Sequence, residues 1–191
     1  MVDKHGVIPP HGGYRKLRSY QSAQHVYDAT VAFCNRFVEK RSRTHDQMVQ
    51  AARSGVQNIA EGSMASATSK KTELKLTGVA RASLEELLLD YQAFLRQRGF
   101  RLWDKDSPQA QAVRQRYRSD KYDSSDKSDK SDPYDVASLE PEAAANTVIC
   151  LIHQTTYLLR KQLEALDRAF LENGGFTERL YQERSRRRKP R

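Results

Sequence analysis

Apolar side chains recur every three or four residues over four long stretches of this chain, and this spacing most strongly limits how the chain can fold. The stretches run from about 14 to 40, 45 to 61, 70 to 97 and 141 to 173. Such spacing places apolar side chains on one face of an α-helix, so each stretch is expected to be an amphipathic helix. No stretch alternates apolar and polar residues in the manner of a β-strand. The sequence therefore predicts an all-α protein.

The connections between these helices predict their arrangement. Short loops join the first three helices, which favours an antiparallel up-down four-helix bundle. Thr44 with Gln47 predicts a capping box at the start of the second helix, and Ser69 is the expected N-cap of the third. Pro141 suits the first turn of the fourth helix, which Asn-Gly-Gly at 173–175 is expected to end.

Changes in composition divide the chain into five regions. We expect a flexible N-terminus (1–13), the first three bundle helices with a short helix (14–118), an acidic disordered linker (119–137), the fourth bundle helix (138–175) and a basic C-terminal tail (176–191). The linker is repetitive, polar and almost free of aliphatic residues, so it cannot bury enough surface to offset the entropy cost of ordering. A second interpretation stays open, in which the linker mimics an acidic ligand and competes for the basic body.

The charge of the chain indicates a polyanionic partner. It has 33 Lys+Arg against 24 Asp+Glu and a pI of about 9.6, which favours nucleic acid. No apolar run approaches the roughly 18 residues of a membrane span, and residues 1–13 lack the apolar core of a secretory signal. The two cysteines, Cys34 and Cys150, are too few for a disulfide framework. We therefore expect a cytoplasmic protein without a membrane partner.

Candidate phosphate ligands are the cations that cluster near predicted helix ends and in the tail. They are Arg15, Lys16, Arg18, Arg36, Lys40, Arg41, Arg43, Lys70, Lys71, Lys75, Arg186, Arg187 and Arg188. Lys70 and Lys71 follow the expected N-cap of the third helix, where the helix dipole disfavours cations unless an anion binds beside them. We expect these residues to bind RNA or DNA mainly through phosphates, with a steep salt dependence. The alternatives are solvated surface lysines and a tail that only aids solubility.

Three consecutive leucines in the third helix predict contact with another copy of the chain. Leu87, Leu88 and Leu89 point in directions about 100° apart, whereas a helix in a monomeric bundle needs only one buried stripe. We therefore expect these residues to form the interface of a homo-oligomer. The alternative is a central helix in a larger monomer.

No catalytic residue, metal site or cofactor is expected. The histidines are not spaced as metal ligands on one helix, and neither cysteine has a nearby partner. Asn58 and Glu61 lie beside the apolar face of the second helix, where structural hydrogen bonding explains them better than catalysis. Arg18 and His25 have an Arg-x6-His spacing that resembles the motif of the all-helical HEPN ribonucleases, which implies residues that position and protonate RNA during cleavage. We expect a non-enzyme, with a HEPN-like ribonuclease as the alternative.

Gln47 to Leu89 carries a pattern that resembles a known bacterial family. Asn58-Ile59-Ala60-Glu61-Gly62 is followed by a Ser/Thr-rich turn and then by ARASLEEL at 80–87. These residues resemble the signature of the bacterial four-helix bundle proteins. That family includes proteins encoded in intervening sequences of large-subunit ribosomal RNA and the accessory variability determinant of diversity-generating retroelements. The resemblance covers about Tyr14 to Arg98.

The resemblance implies a ring-like homopentamer with a basic surface. For the retroelement members it further implies an accessory role, with binding to a reverse transcriptase and to nucleic acid. His11 to Tyr14 and the Ser107-Pro108 region resemble the suffix-domain branch of the same family. The chain departs from the family pattern at the packing positions 54–56 and 82–83, and more widely in the acidic insert before the fourth helix. A structural helical scaffold without nucleic-acid binding is the remaining alternative.

Overall fold

A computed structural model describes residues 12–119 and 134–188 of the protein. These residues contain helices and no β-strand, so the all-α prediction is confirmed. The α-helices are α1 (Arg18–Phe37), α2 (Arg43–Ala65), α3 (Lys70–Gln97), α4 (Pro108–Ser119), α5 (Pro141–Asn173) and α6 (Phe176–Arg188). Two 3-10 helices, Tyr14–Lys16 and Val136–Ser138, precede α1 and α5. The predictions made for 1–11, 120–133 and 189–191 lie outside the described residues.

The contact between α2 and α3 is the most extensive between any two of these helices. Ser54 Oγ lies 2.9 Å from Ser83 Oγ, and further along α2 the backbone of Gly62 faces Leu76, so the two helices run in opposite directions. At Gly55 a Cβ atom would come within 2.9 Å of a buried leucine side chain of α3. The small residues of α2 therefore permit the close approach of α3.

Helix α5 packs against both α1 and α3. Ser22 Oγ lies 2.7 Å from Thr155 Oγ1, and Ser19 donates a 2.6 Å hydrogen bond to Gln162 Oε1. α1 and α5 therefore run in opposite directions. Because α5 has 33 residues and α1 has 20, the C-terminal part of α5 extends past the first turn of α1.

The hydrophobic core lies between α1, α2, α3 and α5. The Phe33 ring is fully buried, and its centroid lies 4.8 Å from the ring centroids of both Tyr91 and Phe94. The Tyr91 hydroxyl donates a 3.2 Å hydrogen bond to Thr30 Oγ1, so this polar group is satisfied inside the core. The other largest fully buried side chains are Met48, Ile59, Leu84, Leu87, Leu95, Leu151, Ile152, Leu159, Val26 and Val136.

Two helix starts test the predicted caps. Ser69 is the N-cap of α3, as predicted, because its Oγ accepts a 3.1 Å hydrogen bond from the Thr72 backbone N–H. The N-cap of α2 is Ser42, whose Oγ accepts a 3.2 Å hydrogen bond from a backbone N–H in the first turn. The predicted Thr44 and Gln47 capping box is therefore wrong. The chain offers an earlier hydroxyl in an extended backbone conformation, and the helix begins directly after it.

The packed body resumes before the predicted end of the linker. Tyr134 and Val136 are both buried, and the 3-10 helix that contains Val136 contacts α1 and α5. The Tyr134 ring meets the His25 ring edge-on at 6.2 Å between centroids. The predicted end of the linker at residue 137 is therefore too late. Tyr134 and Val136 already belong to the folded body, although acidic residues surround them in the sequence.

The C-terminal region is helical on both sides of a glycine pair. Pro141 occupies the first turn of α5, and the helix ends at Asn173, both as predicted. Gly174 follows with φ +63°, a conformation that favours glycine. Residues 176–188 of the predicted tail form α6, which makes no extended contact with any other helix in the described ranges.

Candidate nucleic-acid interface

One end of the helical body carries exposed cations from a 3-10 helix and two α-helices. Arg15 and Lys16 lie in the first 3-10 helix, which packs against α2, and Arg18 begins α1. Lys71 and Lys75 lie in the first two turns of α3. Since α1 and α3 both run opposite to α2, their first turns lie at the same end of the body. We call these five residues the basic end, and all five are exposed.

Local contacts hold the backbone of the basic end in place. The Arg15 guanidinium lies 5.9 Å from the centroid of the Tyr14 ring, which meets the Tyr20 ring edge-on at 4.9 Å. Gln21 Nε2 donates a 2.9 Å hydrogen bond to the Arg15 carbonyl oxygen. Burial, with a smaller contribution from Tyr14, raises the pKa of the Tyr20 hydroxyl, although Arg15 opposes the shift. Tyr20 therefore stays neutral and adds no negative charge beside the cations.

Lys70 has a different role from its neighbours. Its Nζ lies 2.8 Å from Glu73 Oε2, and the Glu73 side chain is buried. This ion pair between adjacent turns of α3 keeps the Lys70 ammonium at the Glu73 carboxylate. Of the two lysines that were predicted to bind one phosphate together, Lys71 alone stays exposed.

The predicted cations near the turn between α1 and α2 lie at the opposite end of the body: Arg36, Lys40, Arg41 and Arg43. A 20-residue helix spans about 30 Å, so this cluster and the basic end are separate surfaces. Arg43 lines a groove of about 430 Å³ between α2 and α3, and Asp46 and Glu86 line the same groove. Carboxylates thus face part of this second cluster, which makes it the weaker phosphate site of the two.

The predicted tail cations lie in α6. Arg186 Nη1 is 3.9 Å from Glu183 Oε1, Arg188 is exposed, and Arg187 lies between them in the helix. Arg184, the first residue of the arginine-rich stretch that the sequence predicts as a nucleic-acid arm, is exposed. Tyr181 was not predicted as a ligand and is 73 % exposed. Its spacing of three residues from Arg184 would have identified it had a helix been predicted here.

The predicted oligomer interface is corrected at two of its three residues. Leu87 and Leu88 are 0 % and 6 % exposed within the core of the chain itself. Helix α3 packs against α2 on one side and α5 on the other, so one chain already covers two directions around it. Leu89 is 64 % exposed and is the only one of the three that is available to another copy.

The residues of the ribonuclease alternative lie on one face of α1. Arg18 is exposed in its first turn, and His25 is half-buried against Tyr134 about 10 Å along the helix axis.

Burial, with a smaller contribution from Asp90, raises the pKa of the Cys34 thiol to about 12, so it is not a thiolate nucleophile at neutral pH. In residues 12–119 and 134–188, no three His, Cys, Asp or Glu side chains are grouped so that they could hold a metal ion.

No family model, no curated protein and no solved structure matches this chain. The resemblance of residues 47–89 to the bacterial four-helix bundle proteins therefore stays a prediction. Within the described part of the chain, none of the helices has the length and apolar character that crossing a bilayer requires.

Proposed function

We propose that this protein is a non-enzymatic accessory subunit that binds RNA or DNA through phosphate groups. In this proposal α1, α2, α3 and α5 are the antiparallel up-down four-helix bundle of one subunit, and several copies join in a homo-oligomer. The observation that carries the proposal is the basic end. Its five cations are exposed at one end of the body, and none of them forms an ion pair with another described residue.

The uncompensated charge of the basic end attracts phosphate groups. Cations that contact phosphates release the counterions condensed on a nucleic acid, and the observed affinity then falls with a log–log salt slope of about −0.9 per phosphate on a duplex. The basic end of one subunit supplies few such contacts. A homo-oligomer presents several copies of the surface at once, and each further contact then forms at a high effective concentration. Oligomerisation therefore turns a weak local site into a tight one.

The partner enzyme that we propose is a reverse transcriptase. What supports this partner is the resemblance of residues 47–89 to the accessory proteins of diversity-generating retroelements, which also supports a ring of five copies. Leu89 supports contact between copies, since its side chain is large, apolar and mostly exposed.

A gel-shift titration tests the proposal with a 30-nucleotide RNA and the matching DNA. We expect both single-stranded probes to shift at about 50 mM salt, and the affinity to fall roughly 130-fold by about 200 mM if five phosphates are contacted. The absence of any shift at the lower salt would contradict the proposal. The same samples test for RNA cleavage, and cleavage that disappears in the His25→Ala variant would assign the protein to the ribonuclease alternative instead.

A further inference from the structure

Helix α6 follows the glycine pair at 174–175 and makes no extended contact with another described helix. Two nitrogens of its Arg179 guanidinium are buried, so this side chain does not face solvent. The 13 residues of α6 span about 20 Å. The backbone N–H of Gly175 donates a 2.9 Å hydrogen bond to Glu178 Oε2, which caps the helix start. An isolated helix shorter than about 12–15 residues is marginal in water, so α6 is a helix that a bound partner would stabilise.

The charges of α6 are arranged in two groups around the helix axis. Tyr181, Arg184 and Arg188 recur at spacings of three and four residues, so they share one face, and all three are exposed. Glu183 lies off this face, where it pairs with Arg186. Glu178 lies three residues before Tyr181, where its Oε2 accepts the Gly175 N–H. Two arginines and a tyrosine thus form an exposed face with one carboxylate at its N-terminal end. We call it the Tyr181 face.

We infer that the Tyr181 face binds in the major groove of double-stranded B-form DNA. This inference rests on the proposed function and names its ligand class. The major groove of B-form DNA is about 12 Å wide and admits an α-helix, whereas the major groove of A-form RNA is too narrow and deep for side chains to read. Arginine forms paired hydrogen bonds with phosphates and with guanine edges, and a projecting helix brings both arginines to one side of the groove.

The first test compares probes of one sequence by fluorescence anisotropy with the full chain. We expect a 20-base-pair DNA duplex to bind about tenfold more tightly than the matching RNA duplex at about 100 mM salt. Equal or tighter binding of the RNA duplex would overturn the inference while leaving the proposed function intact. If neither duplex nor the single strands bind at low salt, the inference and the proposed function fail together.

The second test separates the Tyr181 face from net charge. Arg184→Gln is expected to weaken DNA-duplex binding about fivefold to tenfold, since it removes one direct contact. The matched control is Lys105→Gln, which removes the same charge from an exposed loop between α3 and α4 and is expected to change affinity less than twofold. Equal losses in the two variants would overturn the inference.

The third test separates a helix from a charged tail. Gln182→Pro keeps every charge but breaks α6 at its centre, while Gln182→Ala keeps the helix. Because α6 makes no extended contact with another described helix, neither change is expected to alter the thermal unfolding of the body. We expect Gln182→Pro to abolish the preference for duplex DNA over duplex RNA and Gln182→Ala to retain it. Equal preference in both variants would overturn the inference.

Discussion

Glutamine in place of Arg15, Lys16 and Arg18 is expected to weaken nucleic-acid binding about 100-fold at ~100 mM salt, and more in an oligomer. These three side chains are exposed in the first 3-10 helix and the first turn of α1, and they form no ion pair within the described residues, so their charge is directed at solvent. Loss of three phosphate contacts should also reduce the salt slope on a duplex by about 2.7, while preference among probe sequences stays unchanged.

The control for this variant removes three cations elsewhere. Arg53→Gln, Arg81→Gln and Lys105→Gln give a triple variant of the same net charge, with all three changes on exposed positions away from the basic end. If net charge alone attracted the nucleic acid, both triple variants would lose the same affinity and the same slope. That result would contradict the basic end as the binding surface, whereas a loss confined to the first triple variant would support it.

Phe33→Ala is expected to lower the free energy of unfolding by about 3–5 kcal/mol. The ring is fully buried, and it contacts the Tyr91 and Phe94 rings at 4.8 Å and the Phe37 ring at 5.2 Å between centroids. Its removal leaves a cavity among three aromatic rings that cannot all move to fill it. Because domains of this size are stable by about 5–15 kcal/mol, urea denaturation should show a large shift of the midpoint.

Tyr157→Ala is the matched control for this change. Tyr157 lies on the solvent side of α5 with 53 % of its surface exposed, and the Arg160 guanidinium lies 5.3 Å from its ring centroid. We expect this variant to lose less than about 1 kcal/mol, since it removes one exposed cation–π contact and little buried area. Comparable losses in the two variants would show that Phe33 is not at the centre of the core.

The fold was largely predictable because its helices are long and strongly amphipathic. The apolar spacing located α1, α2, α3 and α5, and Ser69 and Pro141 marked two of the helix starts. Tyr134 and Val136 were missed because they enter the core from a segment without helical spacing. Only the arrangement of α1 and α5 in space provides the site in which they are buried.

The sequence could identify the cations of the candidate site, but it could not show which of them form ion pairs with carboxylates. The sequence placed cations near helix ends, and the antiparallel order then divides them between two ends of the body. It could not show that Lys70 pairs with a carboxylate, because the burial of Glu73 depends on the packing of α3. In the same way, Leu88 was predicted to contact another subunit because the spacing of apolar residues does not show that α2 and α5 pack on either side of α3.

The most direct test is whether several copies of the chain associate and bind one nucleic acid through their basic ends. Light scattering measures this on the full chain at about 50 mM salt, alone and with a 30-nucleotide RNA or DNA. We expect a protein mass that is a multiple of 21.9 kDa, and a heavier complex once either nucleic acid is added. A single subunit of 21.9 kDa whose mass does not change with either nucleic acid would contradict this expectation.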